Sequence, residues 1–203
     1  ADVSDVSYGI GADARIGPDF LQPGPGYGGS CLPKDTRALR MMGKEAGYEM
    51  KVIDAVIRVN EEQNRRIIDK IRCGAGGELA GKIISVLGLS FKPNTDDMRD
   101  APSLTIIPSL QREGAQVKAY DPISAEVARP ILRDVTLANS AYEAADGSDV
   151  LVVLTEWNEF RDLDFTEIKD RMRQAVLVDA KNIYDPAAIL GAGFAYKGIG
   201  RSV

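Results

Sequence analysis

No histidine occurs among the 203 residues. That excludes Ser-His-Asp and Cys-His catalysis in their usual forms and any histidine metal site, so proton transfer falls to carboxylates, lysines, a thiol or water. Cysteine is almost as scarce, with Cys31 and Cys73 alone. Two are too few for a structural zinc site and read as two free thiols rather than a disulfide; no metal is expected. No stretch approaches the roughly 18 consecutive apolar residues of a bilayer span, and the first residues show no basic-then-apolar signal pattern. A cytoplasmic protein without a membrane partner is expected. Lys and Arg (25) are outnumbered by Asp and Glu (30), for a formal net charge of -5. That balance argues against nucleic acid as a partner but leaves room for a local basic site facing a small phosphate.

The chain has the composition of a globular protein, 44% hydrophobic and 27% charged, and length for one large domain or two smaller ones; two are expected. Residues 1 to 72 read as helical. An amphipathic segment carries Val3, Val6 and Ile10, and a glycine- and proline-rich stretch runs from Gly11 to Gly29. "KDTRALRMMGKEAG" then follows Pro33 as a helix stopping near Gly47. "KVIDAVIRVNEEQNRRIIDKIR" (51 to 72) keeps a helical apolar period long enough to bridge two domains or to pack against a second copy of itself. In its middle the buried phase falls on Asn60, Gln63 and Asn64, which read as a solvated or polar helix contact ahead of a ligand site.

"CGAGGELAGK" (73 to 82) breaks the period and marks the boundary. Beyond it, "KIISVLGLSF", "AQVKAYDP", "VTLA", "DVLVVLTE" and "AVLVDAK" read as strands. They alternate with short helices at "SLTIIPSLQREG", "AEVARPIL", "AYEAA", "FTEIKDRM" and "PAAILGAG". Such alternation predicts an α/β doubly wound, mostly parallel Rossmann-like sheet over 73 to 203, with Pro108 kinking its first helix. The chain also opens with Ala inside a helix-like "ADVSDVSYGIG", which reads as a piece of a longer protein.

"PGPGYGGSCLPKD" (23 to 35) concentrates the chemistry. Glycines 24, 26 and 29 have the spacing of a dinucleotide fingerprint, but the preceding "RIGPDFLQP" carries two prolines and no apolar strand, which argues against one. Two readings stay open: a loop of small residues pressed against a ligand between the apolar walls Phe20, Leu21 and Tyr27, or a structural turn. Cys31 stands at the start of a helix with Lys34 and Asp35 in its first turn, where helix-end partial charge and the ammonium favour the thiolate. Cys73 has no acid or base arranged around it. In the second domain Lys92 and Arg99, in "SFKPNTDDMRDAP", and Lys181, in "DAKNIYDP", follow strands and reach the edge where such sheets bind phosphates. Asp100 is placed to cap the following helix, and Asp96 and Asp97 read as caps or ion-pair partners.

At "FLQPGPGYGGSCLPKDTRAL", "FKPNTDDMRDAPS", "VKAYDP", "TEWNEF" and "NIYDP" the sequence resembles the UDP-glucose/GDP-mannose dehydrogenase family, its UDP-glucose branch ahead of the GDP-mannose one. The likeness runs over the whole chain but covers only the C-terminal part of such an enzyme, whose NAD-binding domain would precede residue 1. It implies a two-step oxidation of a nucleotide sugar consuming two NAD, with Cys31 as nucleophile through a thiohemiacetal and a thioester and Asp35 assisting water. It further implies that Lys34 and Arg99 contact NAD. Phe20, Leu21, Gln22, Pro23, Gly24, Tyr27 and Gly28, together with Phe91 and Lys92, would hold UDP-glucose. Arg15 would reach the substrate of a neighbouring subunit in a homodimer built on helix 51 to 72. Lys181 stands where many relatives carry arginine and lacks the bidentate fork. A nucleotide-sugar-binding or oligomerisation module without catalysis is the reading from another class.

Overall fold

The computed structural model describes residues 1 to 201; residues 202 and 203 of the expected second domain lie outside the described residues. Helix α1 (Val3–Gly11) starts on the Asp2 carboxylate, which accepts from the Ser4 N–H at 2.7 Å. It buries no residue; Val6 and Ile10 of its expected apolar face are exposed. What fixes it is polar: Val3 N–H donates to the Gly200 carbonyl at 2.8 Å and Ser7 Oγ to the Leu21 carbonyl at 2.7 Å. An irregular stretch follows to Cys31. Helix α2 (Leu32–Glu45) has Pro33 in its first turn and ends before Gly47, whose φ of 71° is one that glycine takes without strain. Helix α3 (Lys51–Gly74) is 24 residues long, about 36 Å at the helical rise.

The sheet comprises β1 (Ile83–Leu87), β2 (Gln116–Tyr120), β3 (Val135–Leu137), β4 (Val150–Val153), β5 (Val176–Asp179) and β6 (Ala195–Gly198). Its order is β3-β2-β1-β4-β5-β6 and every pairing is parallel. The crossovers are α4 (Ser103–Arg112), α5 (Ala125–Ala128), α6 (Ala141–Ala145), α7 (Asn158–Arg161) with α8 (Phe165–Arg171), and α9 (Pro186–Gly191). This is the doubly wound fold the strand-helix alternation predicted. Helix α4 runs on through Pro108, and α5 is a single turn, cut off before Pro130. The sequence reading passed over α7 and β6, four residues each.

Two apolar cores sandwich the sheet. On one face Ile67, Ile68 and Ile71 of α3 and Ile106, Ile107 and Leu110 of α4 pack on Ile84, Val86, Val150, Val152 and Val178. On the other, Leu87, Leu151, Val153 and Leu177 meet Ala144, Phe160, Ile168 and Ile189. The C-terminal half of α3 is therefore part of the sheet's core although it precedes the glycine-rich break. Among the described residues no helix is long and apolar enough to cross a membrane.

Candidate active site

The direction of winding reverses between β1 and β4, and beyond their carboxyl ends lies the crevice where a doubly wound sheet takes its ligand. Leaving β1, Gly88 has a φ of 90°, and a Cβ there would overlap the side chain of Thr155, which follows β4. With no side chain in the way the two strand ends close together, and Thr155 Oγ1 donates to the Ser90 carbonyl at 2.6 Å.

Two buried carboxylates fix the loops around this crevice. Asp121, just past β2, accepts at Oδ2 from the N–H groups of Leu89 (2.7 Å) and Ser90 (3.2 Å) and from the Trp157 indole (3.2 Å). Its Oδ1 accepts from Ile123 and Ser124 N–H at 3.0 and 2.8 Å. Burial pushes this carboxyl up, but the backbone donors of Leu89, Ser124 and Ile123 outweigh it and hold the group below the ordinary carboxylate range. Asp179, which ends β5, accepts from Lys181 N–H (3.1 Å), Tyr184 N–H (3.1 Å) and Tyr196 Oη (3.2 Å). There burial wins over the hydrogen bonds and the carboxyl is raised. The turn that Asp179 holds presents Lys181, whose Nζ lies 2.7 Å from Glu156 Oε2 with the lysine side chain only 17% exposed.

A sheet that binds a dinucleotide offers a glycine-rich first turn and an acid after the second strand for the ribose. Here the first turn reads Gly88-Leu89-Ser90-Phe91-Lys92, and the acid, Asp121, is turned inward onto backbone donors. The sheet thus lacks both the glycine-rich first turn and the outward-facing acid of a dinucleotide site.

The thiol arrives from the helical side. Cys31 immediately precedes α2 without capping it through its side chain, and its exposed Sγ lies 3.7 Å from Ser30 Oγ. Lys34 and Asp35 pair with each other, which raises the Lys34 ammonium above its ordinary value, with a smaller contribution from Cys31. Arg99 forks onto Asp97 at 2.7 and 2.9 Å and is raised first by Asp97 and last by Cys31. The same pairing holds Asp97 low. Both cations of this region already carry a carboxylate, Lys34 that of Asp35 and Arg99 that of Asp97.

The glycine loop joins the two sides. Gly29 N–H donates to the Arg99 carbonyl at 2.8 Å, and a Cβ on Gly29 would strike the Phe91 ring at 2.7 Å. A Cβ on Gly24 would stand 3.7 Å from Lys181 Nζ, and one on Gly28 would overlap the Asp100 carbonyl. Asn60 and Gln63 of α3 bond the loop's backbone at Tyr27 and Gly24. The glycines serve close approach to the sheet's edge.

Of the expected residues, Cys31, Lys34, Asp35 and Arg99 come together, as do Gly24 with Lys181 and Gly28 with the turn at Asp100. Lys92 Nζ sits 5.3 Å from the centroid of the Phe91 ring. Leu21, Pro23 and Tyr27 are half-buried, while Gln22 is exposed. Phe20 does not wall the loop: it is fully exposed at a φ of 61°, the left-handed turn aiming it away from the packed side. Arg15 stands out in solvent, paired with Asp13 at 2.5 Å. Asp100 does not cap α4, because the chain turns once more before the helix and brings Pro102 to that position. Its carboxylate instead receives Arg37 of α2 at 2.7 Å. Sequence reasoning missed Asp121, Asp179, Thr155 and Glu156; the signal was an acid or polar residue at the end of each buried run.

A doubly wound sheet whose switch-point crevice is overhung by a glycine loop and a thiol defines the class, an α/β protein with a two-part site. The UDP binding domain of the UDP-glucose/GDP-mannose dehydrogenase family matches residues 85–186, and the central domain of that family matches residues 1–62. The chain belongs to the UDP-glucose/GDP-mannose dehydrogenase family. It is 47% identical over 201 residues to UDP-glucose 6-dehydrogenase of Rhizobium meliloti, covering 99% of this chain and 46% of that one. UDP-glucose 6-dehydrogenase TuaD of Bacillus subtilis is 46% identical, with 99% and 44% covered. Among solved structures, a UDP-glucose dehydrogenase from Pyrobaculum islandicum superposes with a TM-score of 0.86 at 34% identity, over 100% of this chain and 44% of that one. The chain spans about half the length of the curated relatives it matches. Membership of a dehydrogenase family implies a nicotinamide cofactor in general.

Proposed function

We propose that this chain is the substrate-binding and helical-core part of an NAD-dependent UDP-glucose 6-dehydrogenase, with a helical unit at 1 to 72 and a sheet unit at 73 to 203. The observation that carries the reading is the junction of the two. Cys31, Lys34 and Asp35 stand at a helix start that the glycine loop ties, through Gly29 and Arg99, to the switch-point crevice of a UDP-binding-domain sheet. Two free, exposed thiols accord with a cytoplasmic setting.

In this reading Phe91, Lys92 and Lys181, with the loop from Phe20 to Gly28, hold UDP-glucose so that C6 of the sugar reaches Cys31. Lysine cations suit the pyrophosphate. The Cys31 thiolate adds to the C6 aldehyde, the carbon-sulfur bond persists as a thioester at the acid oxidation level, and water releases the carboxylate and the thiol. Asp35 is the carboxylate assigned to assist that water, a task for which the chain offers no histidine. Lys34 and Arg99 would contact NAD, which when bound would supply the hydride acceptor for both oxidations. Two copies pair along α3, which exposes Val52, Val56 and Val59 on one stripe, and Arg15 reaches the partner's substrate.

Calorimetry tests the reading. UDP and UDP-glucose are expected to bind the folded chain, with UDP-glucose displacing GDP-mannose rather than the reverse. A folded sample giving no heat with either uridine ligand overturns it, and preference for GDP-mannose moves the assignment to that branch of the family.

A further inference from the structure

We propose that Asn60 and Gln63 are positioning residues for the candidate active site, holding the thiol-bearing glycine loop at a fixed height over the sheet's crevice. This rests on the reading of that crevice as a nucleotide-sugar site.

Asn60 grips both polar groups of one residue. Its Oδ1 accepts from Tyr27 N–H at 2.7 Å and its Nδ2 donates to the Tyr27 carbonyl at 3.1 Å. Three residues on, Gln63 Nε2 donates to the Gly24 carbonyl at 3.1 Å, and Gly24 is the loop residue facing Lys181. The approach is tight enough to require glycine between these anchors, since a Cβ on Gly26 would lie 2.8 Å from Asn60 Oδ1 and 3.2 Å from Asn64 Nδ2.

The loop makes no helix or strand of its own between Gln22 and Ser30, so its placement must come from outside. The outside support is rigid. Asn60, Asn64, Ile67 and Ile71 recur at helical spacing on one face of α3, and the last two are completely buried against the sheet. A single helix face thus carries the amides that hold the loop and the isoleucines that lock the helix to the strands framing the crevice. Helix solubility alone would not require these amides: they are half-buried, and their bonds run to loop backbone.

The test compares the parent chain with Asn60→Ala and Gln63→Met, the second keeping side-chain length while deleting the amide that donates to Gly24. It reads amide hydrogen exchange together with calorimetric affinity for UDP and UDP-glucose. Amides of residues 24 to 30 are expected to exchange at least about tenfold faster in both variants while β1 and β4 keep parent rates, and UDP-glucose affinity should fall about tenfold. Loop exchange at the parent rate in both variants overturns the proposal. So does a loosened loop that binds UDP-glucose within about twofold of the parent, or loosening that spreads equally through the sheet in both. A parent chain that binds neither ligand defeats the substrate reading instead, and exchange at Tyr27 then decides by itself whether the amides hold the loop.

Discussion

The two buried aspartates have the same side chain and opposite proton affinities because their donors differ. Asp121 gathers four backbone N–H groups and an indole, whereas Asp179 is completely buried and its hydrogen bonds do not offset the loss of water. For Asp121 the folded pKa lies below the unfolded value of about 3.9, so its stabilisation is complete above that value and is lost as pH falls through the folded pKa. Asp179 has the reverse sign: ionising it costs stability as pH rises from the unfolded value through the raised one. Urea denaturation should therefore show Asp121→Asn destabilised by about 1–3 kcal/mol at pH 7, with the gap to the parent closing below about pH 4. Asp179→Asn should lose less at pH 7. Equal losses at pH 7, or an Asp121→Asn gap that does not depend on pH, would refute the assignment. At this scale the sequence was legible where placement is local, as at Cys31, Lys34 and Asp35, which stand together at the start of α2. It was opaque where a side chain reaches across the fold: Asp100 meets Arg37, 63 positions away, rather than its own helix.

Among the elements, α3 spans the whole design. Its first half exposes Val52, Val56 and Val59, its middle holds the glycine loop, and its last turns carry Ile67, Ile68 and Ile71 into the core. Truncating Ile71, which is fully buried, removes apolar contact and leaves a cavity in a packed interior. Ile71→Ala is expected to cost about 2–5 kcal/mol in denaturant unfolding; a loss under about 0.5 kcal/mol, as at a surface site, would mean that α3 is not bolted to the sheet. The helix and the long strands were readable because buried parallel strands appear as unbroken apolar runs and α3 keeps its period. The missed α7 and β6 are too short for any period to register, and β6 alternates exposure residue by residue. The amides at 60, 63 and 64 read as a polar helix contact; Asn60 and Gln63 bond the loop's backbone, while Asn64 donates to the Asn60 carbonyl within the helix.

At the scale of the molecule, the surface is uneven. The sheet is covered on both faces, while the helical side leaves Val52, Val56 and Val59 in solvent together with Tyr8, Met42 and Tyr48. An exposed apolar stripe about two turns long at the start of α3 is the kind of surface that a second copy can bury, because a two-fold axis crossing the helix sets each stripe against itself. Sedimentation equilibrium of the chain should therefore give a dimer. Val56→Asp combined with Val59→Asp should shift it to monomer, since two uncompensated carboxylates per copy would have to be buried at the seam. Circular dichroism and the unfolding midpoint of the sheet should stay near the parent's, because both positions are exposed and precede the first buried isoleucine of the sheet's core by about two turns of α3 or more. A parent chain that sediments as a monomer across the concentration range, or a double variant that remains dimeric, would show that the pairing does not run along this stripe. Loss of the dimer with UDP affinity intact would place the nucleotide site wholly within one copy, leaving Arg15 as the residue whose contribution depends on the partner.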